Sequence, residues 1–281
     1  MIINDYKYSL QDTCQEPDPS GLILQKGYAV ITCLPGLDNM TIGIKDFGGL
    51  GALHDGGSSN HGLYWKSTPM VQGWTPSSFG GQTLMGLAID RDTGDIYTSA
   101  TRIWGQGGNA NIYKIDGITG SVSLFATLPG TSLTVGYIDI DPVHNILFAT
   151  NYDDGKIYRI DLNNGTILNT YDYLNSGTIK GIATPVNELL VGVGYNEMQN
   201  KLYYSLYGVN NIKSIRSLEL DANGDFIVSS DKEEICIVDS VSNFPVGDID
   251  FNAAGDEVLL SEIQLSSNCI YTGSHSVFNY R

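Results

Sequence analysis

The chain has 281 residues, 31 acidic against 15 basic, and a formal net charge of −16. That charge repels a phosphate backbone and sets nucleic acid aside as a partner. With 42% hydrophobic and 10% aromatic residues the chain can bury a substantial core, which sets disorder aside.

Residues 1–26, opening MIINDYKYSL, lack the basic stretch and apolar core of a secretory signal and read as an N-terminal extension. They fit a cytosolic protein, or a mature or trimmed piece of an exported one. GYAVITC follows as an alternating strand, and residues 27–34 are assigned to closing a ring, as argued below. Residues 35–84 are rich in Gly and Ser and resemble the later units poorly.

From Gly86 a repeat emerges. GLAIDRDTGDIYTSAT is matched by GYIDIDPVHNILFATN from Gly136, and less closely by segments from Val191 and Val246. In each, an apolar strand runs into Asp90, Asp141, Asn196 or Asn252, markers separated by 51, 55 and 56 residues. Seven residues beyond each marker stands Tyr97, Phe148, Tyr203 or Leu259. A second hairpin follows in the first three units, turning at Gly120, Gly165 and Gly224. Four strands per unit of about 45–60 residues, with no convincing amphipathic helix, is the signature of a β-propeller.

The expected fold is therefore an all-β propeller of four-stranded antiparallel blades. The blades fall near 35–84, 85–130, 135–175, 180–232 and 245–281. Five blades are counted, or six if residues 1–84 hold further strands. The last unit stops one strand short, at VFNYR. An open edge invites association, so the strand at 27–34 is expected to complete that blade and close the ring.

The strings MGLAIDRDTGDIYTSATRIWG, IYKIDGITGSVSLFATLP and FATNYDDGKIYRIDLNNGTIL resemble propeller modules of large secreted bacterial surface proteins of Bacteroidetes and cyanobacterial type. More remotely they resemble NHL and strictosidine synthase-like propellers. The resemblance covers residues 85–281. It implies an extracytoplasmic module that recognises a polysaccharide or protein partner, or neighbouring domains of a longer chain, and not an enzyme.

Propellers place function on loops at the ends of the central channel. The loops after each second strand should line one mouth, presenting Thr101, Arg102, Asn151, Tyr152, Tyr207, Asn210 and Glu262. Such acid, amide and phenol groups suit a sugar hydroxyl or a hard cation, so Ca2+ is the candidate cofactor, with Asn151, Asp153 and Glu262 as its donors. Hydrogen bonding to neighbouring backbone is the competing role. The alternative function is a divalent-metal-dependent, lactonase-like hydrolase at the same channel, where Asn151 and Glu262 are suited to holding the ion.

Other motifs are weaker. His54, Asp55 and His61 could bind a transition metal if their Gly-Ser loop folded back, but the spacing matches no established motif. DRDTGD at Asp90 departs from a calcium loop and reads as a turn between strands, as do DLNNG at Asp161 and DANGD at Asp221. Asp153 and Asp154 read as a solvated pair. Trp65, Trp74 and Trp104 with Tyr64 suit either a sugar platform or the filling between blades. Cys14, Cys33, Cys236 and Cys269 show no CxxC spacing; both two disulfides and four free thiols remain open.

Overall fold

The computed structural model describes residues 22–23, 28–32, 42–46, 70–101, 109–129, 135–151, 154–173, 189–207, 212–238, 246–252, 254–262 and 276–279. The elements are strands, apart from one short 3-10 turn at Pro76–Phe79.

The strands of the described residues form five sheets in chain order. An N-terminal sheet contains β1 (Tyr28–Thr32), β2 (Ile42–Asp46) and β3 (Met70–Trp74). The next holds β4 (Thr83–Ile89), β5 (Ile96–Thr101), β6 (Asn111–Ile115) and β7 (Val122–Thr127). A third holds β8 (Ile138–Asp141), β9 (Ile146–Asn151), β10 (Lys156–Asp161) and β11 (Ile167–Asp172). The fourth holds β12 (Leu189–Asn196), β13 (Lys201–Tyr207), β14 (Ile212–Leu220) and β15 (Phe226–Val238). The fifth holds β16 (Val246–Phe251), β17 (Glu257–Glu262) and β18 (Ser276–Asn279). Each strand pairs antiparallel with the next in its sheet, as a meander. The all-β propeller reading of the sequence holds.

The sheets stack face to face, and the period-2 geometry of a strand explains how. On β9 the alternate residues Leu147 and Ala149 pack towards the preceding sheet, among Tyr97, Ile112, Tyr158 and Ile160. Their neighbours Ile146 and Phe148 pack towards the following sheet, among Tyr195, Leu202, Tyr204 and Leu218. All six residues of β9 are buried as a result. A strand covered on both faces loses the apolar–polar alternation that would expose it to water. The outer β11 keeps that alternation, since solvent reaches one of its faces. The first strands β4, β8, β12 and β16 touch in succession, and β1 lies against β4.

The marker residues are turn caps. Asp90 accepts hydrogen bonds from the Asp92 amide and the Thr93 hydroxyl. Asp141 accepts from the Val143 and His144 amides, and its second oxygen meets His144 Nδ1 at 2.6 Å. Asn196 and Asn252 hold the corresponding turns through the Gln199 and the Asp256 and Glu257 amides. Short polar side chains that bond backbone two or three residues on are what such turns require. DRDTGD is therefore a turn, as its sequence suggests.

Within the expected strand at 27–34, residues 28–32 form β1, and its described partner is β2. Among the described residues β1 makes no ladder with β18.

Candidate functional site

Equivalent strands of successive sheets run the same way, so equivalent strand ends share one end of the stack. Thr101, Asn151, Tyr207 and Glu262 are the last residues of β5, β9, β13 and β17. The fold therefore sets these four positions at one end of the stack, where the sequence places the mouth. Arg102, Tyr152, Asp153 and Asn210 lie outside the described residues, as do His54, Asp55, His61, Tyr64, Trp65 and Trp104.

The two described side chains at this mouth differ. Asn151 is fully buried at 0% exposure, and its backbone carbonyl accepts the Gly155 amide at 3.1 Å. Tyr207 is half-buried and so remains partly offered to solvent. Asp154 is half-buried and occupied, not freely solvated: it accepts the Tyr158 hydroxyl at 2.5 Å and the Lys156 amide at 3.1 Å. Burial, then this bond to a carboxylate, pushes the Tyr158 phenol up. Trp74 is buried and donates Nε1–H to the Gly120 carbonyl at 2.8 Å, so it fills a seam between sheets.

The inner strands carry a second set of groups that sequence reasoning passed over. Asp139 on β8 accepts the Tyr195 amide of β12 at 2.6 Å and its own neighbour, the Ile140 amide, at 2.8 Å. Its carboxyl is nevertheless pushed up to about 7, by desolvation first and then by the charges of Asp248 and Asp250. Asp248 on β16 is also pushed up to about 7, by desolvation and then by Asp250. Yet its surface is open to solvent. Among the described residues no group of three or more His, Cys, Asp or Glu side chains is arranged to hold a metal ion.

A third set ties the sheets together. The Ser99 hydroxyl accepts the Gly86 amide at 2.8 Å within its own sheet and donates to the Gly136 carbonyl of the next at 2.5 Å. Thr150 accepts the Tyr137 amide at 3.0 Å and donates to the Val191 carbonyl at 2.6 Å. Ser205 accepts the Gly192 amide at 2.7 Å and donates to the Val246 carbonyl at 2.7 Å. Ser99 and Ser205 lie opposite a one-residue bulge in the first strand, which frees the amide that the hydroxyl satisfies. The signal was available: Ser99, Thr150, Ser205 and Ser261 each stand nine residues after a marker.

Between the third and fourth sheets sits a buried charged network. Asp231 on β15, whose side chain is fully buried, accepts from the Tyr171 and Tyr204 hydroxyls at 2.8 and 2.7 Å and from Arg216 Nε at 3.1 Å. Burial is the main cause that raises the Tyr204 phenol well above its ordinary range. Three donors from three strands, meeting one acceptor on a fourth, make this a structural lock.

No family model matches the chain, and no curated protein matches it. Among solved structures, a chain of a nidogen/laminin complex is similar at 12% identity, with a TM-score of 0.52, over 90% of this chain and 79% of that one. A chain of a mitotic checkpoint complex is similar at 14% identity with a TM-score of 0.40, over 63% of this chain and 43% of that one. The likeness to the first of these and the stacked four-stranded sheets together show that the chain has a β-propeller fold.

Proposed function

We propose that this protein is a non-catalytic recognition module of an exported bacterial protein, and that it binds a protein partner at the mouth formed by the ends of β5, β9, β13 and β17. The observation that carries the reading is the placement of Thr101, Asn151, Tyr207 and Glu262 at equivalent strand ends. Rigid strands presenting variable loops at one rim are the usual platform for recognition. The half-buried Tyr207 suits an interface anchor, because tyrosine offers large amphipathic area at low entropic cost. Support for a protein over a polysaccharide comes from the nidogen/laminin chain, a propeller of the same fold in a protein complex.

The test is cross-linking of the purified protein in an extracytoplasmic fraction, followed by affinity measurement with the identified partner. Tyr207→Ala is expected to weaken that affinity by about tenfold or more, the scale of an interface anchor. Val143→Ser and Met198→Ser, in turns at the opposite end of the stack, are expected to leave it unchanged. The reverse pattern would move the site to the other face. Lactone hydrolysis that requires an added divalent ion would replace the reading with the hydrolase one.

A further inference from the structure

The first and third hairpins of each sheet turn at the end of the stack opposite the ends of β5, β9, β13 and β17. That end carries exposed apolar side chains. Ile118, in the turn between β6 and β7, is 63% exposed; Val143, between β8 and β9, is 60% exposed; Met198, between β12 and β13, is 67% exposed. Every other large apolar side chain that is exposed among the described residues lies within a few residues of such a turn. Apolar surface gathered at one end marks a contact face, which single scattered residues do not.

The chain that precedes β1 is already seated at this end. The Ile23 amide donates to the Gly117 carbonyl at 2.7 Å, beside Ile118. Leu22 lies on Gly94, in the turn between β4 and β5: a Cβ there would meet Leu22 Cδ2 at 2.9 Å. Gly94 and Gly255 hold matching left-handed positions in the first turns of their sheets, at φ +73° and +69°. A Cβ on Gly255 would meet Met198 Cβ at 2.8 Å, in the turn of the sheet before it. Leu22 thus takes on Gly94 the place that Met198 takes on Gly255.

We propose that the turn end of the stack is a docking face whose occupant is residues 1–21 of this chain, led onto it by Leu22 and Ile23. The segment brings apolar groups of its own, at Met1, Ile2, Ile3, Tyr6, Tyr8 and Leu10. Extended, a segment of this length reaches about 70 Å, and stacked sheets lie about 10 Å apart. It is therefore long enough to pass from Gly117 over Val143 to Met198. Continuity selects this occupant over a foreign chain: Leu22 and Ile23 are held at the face, so the residues before them meet it at the high effective concentration of a tether. A net charge of −16 opposes a second copy. The face lies away from Tyr207, so a docked segment leaves that end of the stack free.

Two measurements on the full chain test this. Hydrogen exchange of residues 1–21 is compared between the natural protein and Ile118→Ser/Met198→Ser, whose exposed positions leave the core untouched. The natural segment is expected to exchange more slowly than a free chain, and the double variant to lose that protection by about tenfold or more. Free exchange in the natural protein, or protection unchanged in the variant, overturns the proposal. Separately, Met198→p-benzoylphenylalanine places a photo-cross-linker on the face, in an equal mixture of light and isotopically heavy chains. Cross-links to residues 1–21 within one isotopic species are expected. Links of mixed isotope, which place a second copy on the face, or products that never join residues 1–21, overturn it.

Discussion

The Thr150 hydroxyl on β9 donates to the Val191 carbonyl on β12 at 2.6 Å while accepting the Tyr137 amide at 3.0 Å. One oxygen therefore satisfies a frayed amide in its own sheet and a carbonyl in the next. Replacing Thr150 by Val keeps the shape and removes both bonds. Leaving buried partners unmet costs about 1–3 kcal/mol, and for a protein of this size each kcal/mol lowers Tm by about 2–4 °C. Thermal unfolding of Thr150→Val and Ser205→Ala is expected to show this loss, whereas Thr150→Ser is expected to be milder. Stability equal to the parent in Thr150→Val would show that the hydroxyl does not join the sheets.

Gly194 makes a different prediction. A Cβ there would meet the Ile249 carbonyl oxygen at 2.2 Å, and that oxygen belongs to a strand that cannot swing away like a side chain. Gly194→Ala is expected to separate β12 from β16 and to destabilise by about 1–3 kcal/mol, the usual scale of overpacking. Denaturant titration checks it. Gly81→Ala, where a Cβ meets nothing within 4 Å, supplies a comparison without a clash, although its φ of +77° adds backbone strain of its own.

The pH dependence divides by location. Asp139 and Asp248 are pushed up to about 7 in the folded protein, whereas a free Asp titrates near about 3.9. The folded state then binds protons that the unfolded chain has released, so with respect to these two groups stability falls as pH rises from about 4 to about 7. Asp116, Asp161 and Asp221 in the outer hairpin turns are lowered, chiefly by backbone amide donors. Their contribution is present above about pH 4 and is lost as acid protonates them. Asp248→Asn is expected to raise Tm at pH 8 and to change it little at pH 4. A Tm gain equal at both values would mean that the carboxyl is not held up.

Asp231 faces Arg216, Tyr171 and Tyr204 with no exposed side-chain surface. Asp231→Ala leaves the buried guanidinium and two phenols without their acceptor, and a loss of about 3–5 kcal/mol is expected. The double variant Asp231→Ala/Arg216→Met removes both charges and is expected to recover part of it. Calorimetry of Asp231→Ala, Arg216→Met and the double variant settles the point: if the double variant is no better than the sum of the two single losses, the charges are not coupled.

How far the sequence reveals this architecture depends on the strand. β9 and β13 were legible because their apolar runs and preceding markers recur with Phe148 and Tyr203 at a constant offset. The role of β1 was not legible from its own alternation, which says only that one face is covered and not by which sheet. At the mouth, position could be read from the repeat, since Asn151 and Tyr207 terminate equivalent strands. Exposure could not: Asn151 is fully buried although it stands at the end of its strand. Asp139 escaped notice because an acid beside the marker Asp141 looks like one more turn residue, while its partner Tyr195 lies 56 residues further along.

β9, with every residue buried and its alternate side chains claimed by two different sheets, constrains how this protein can change in size. Removing part of a sheet exposes a raw apolar wall on each neighbour, and adding part of one leaves a face with nothing to meet. Only a whole sheet, bringing both its faces and its own hydroxyl link, fits the gap it makes. A stack of this kind can grow or shrink in complete units and in no smaller step.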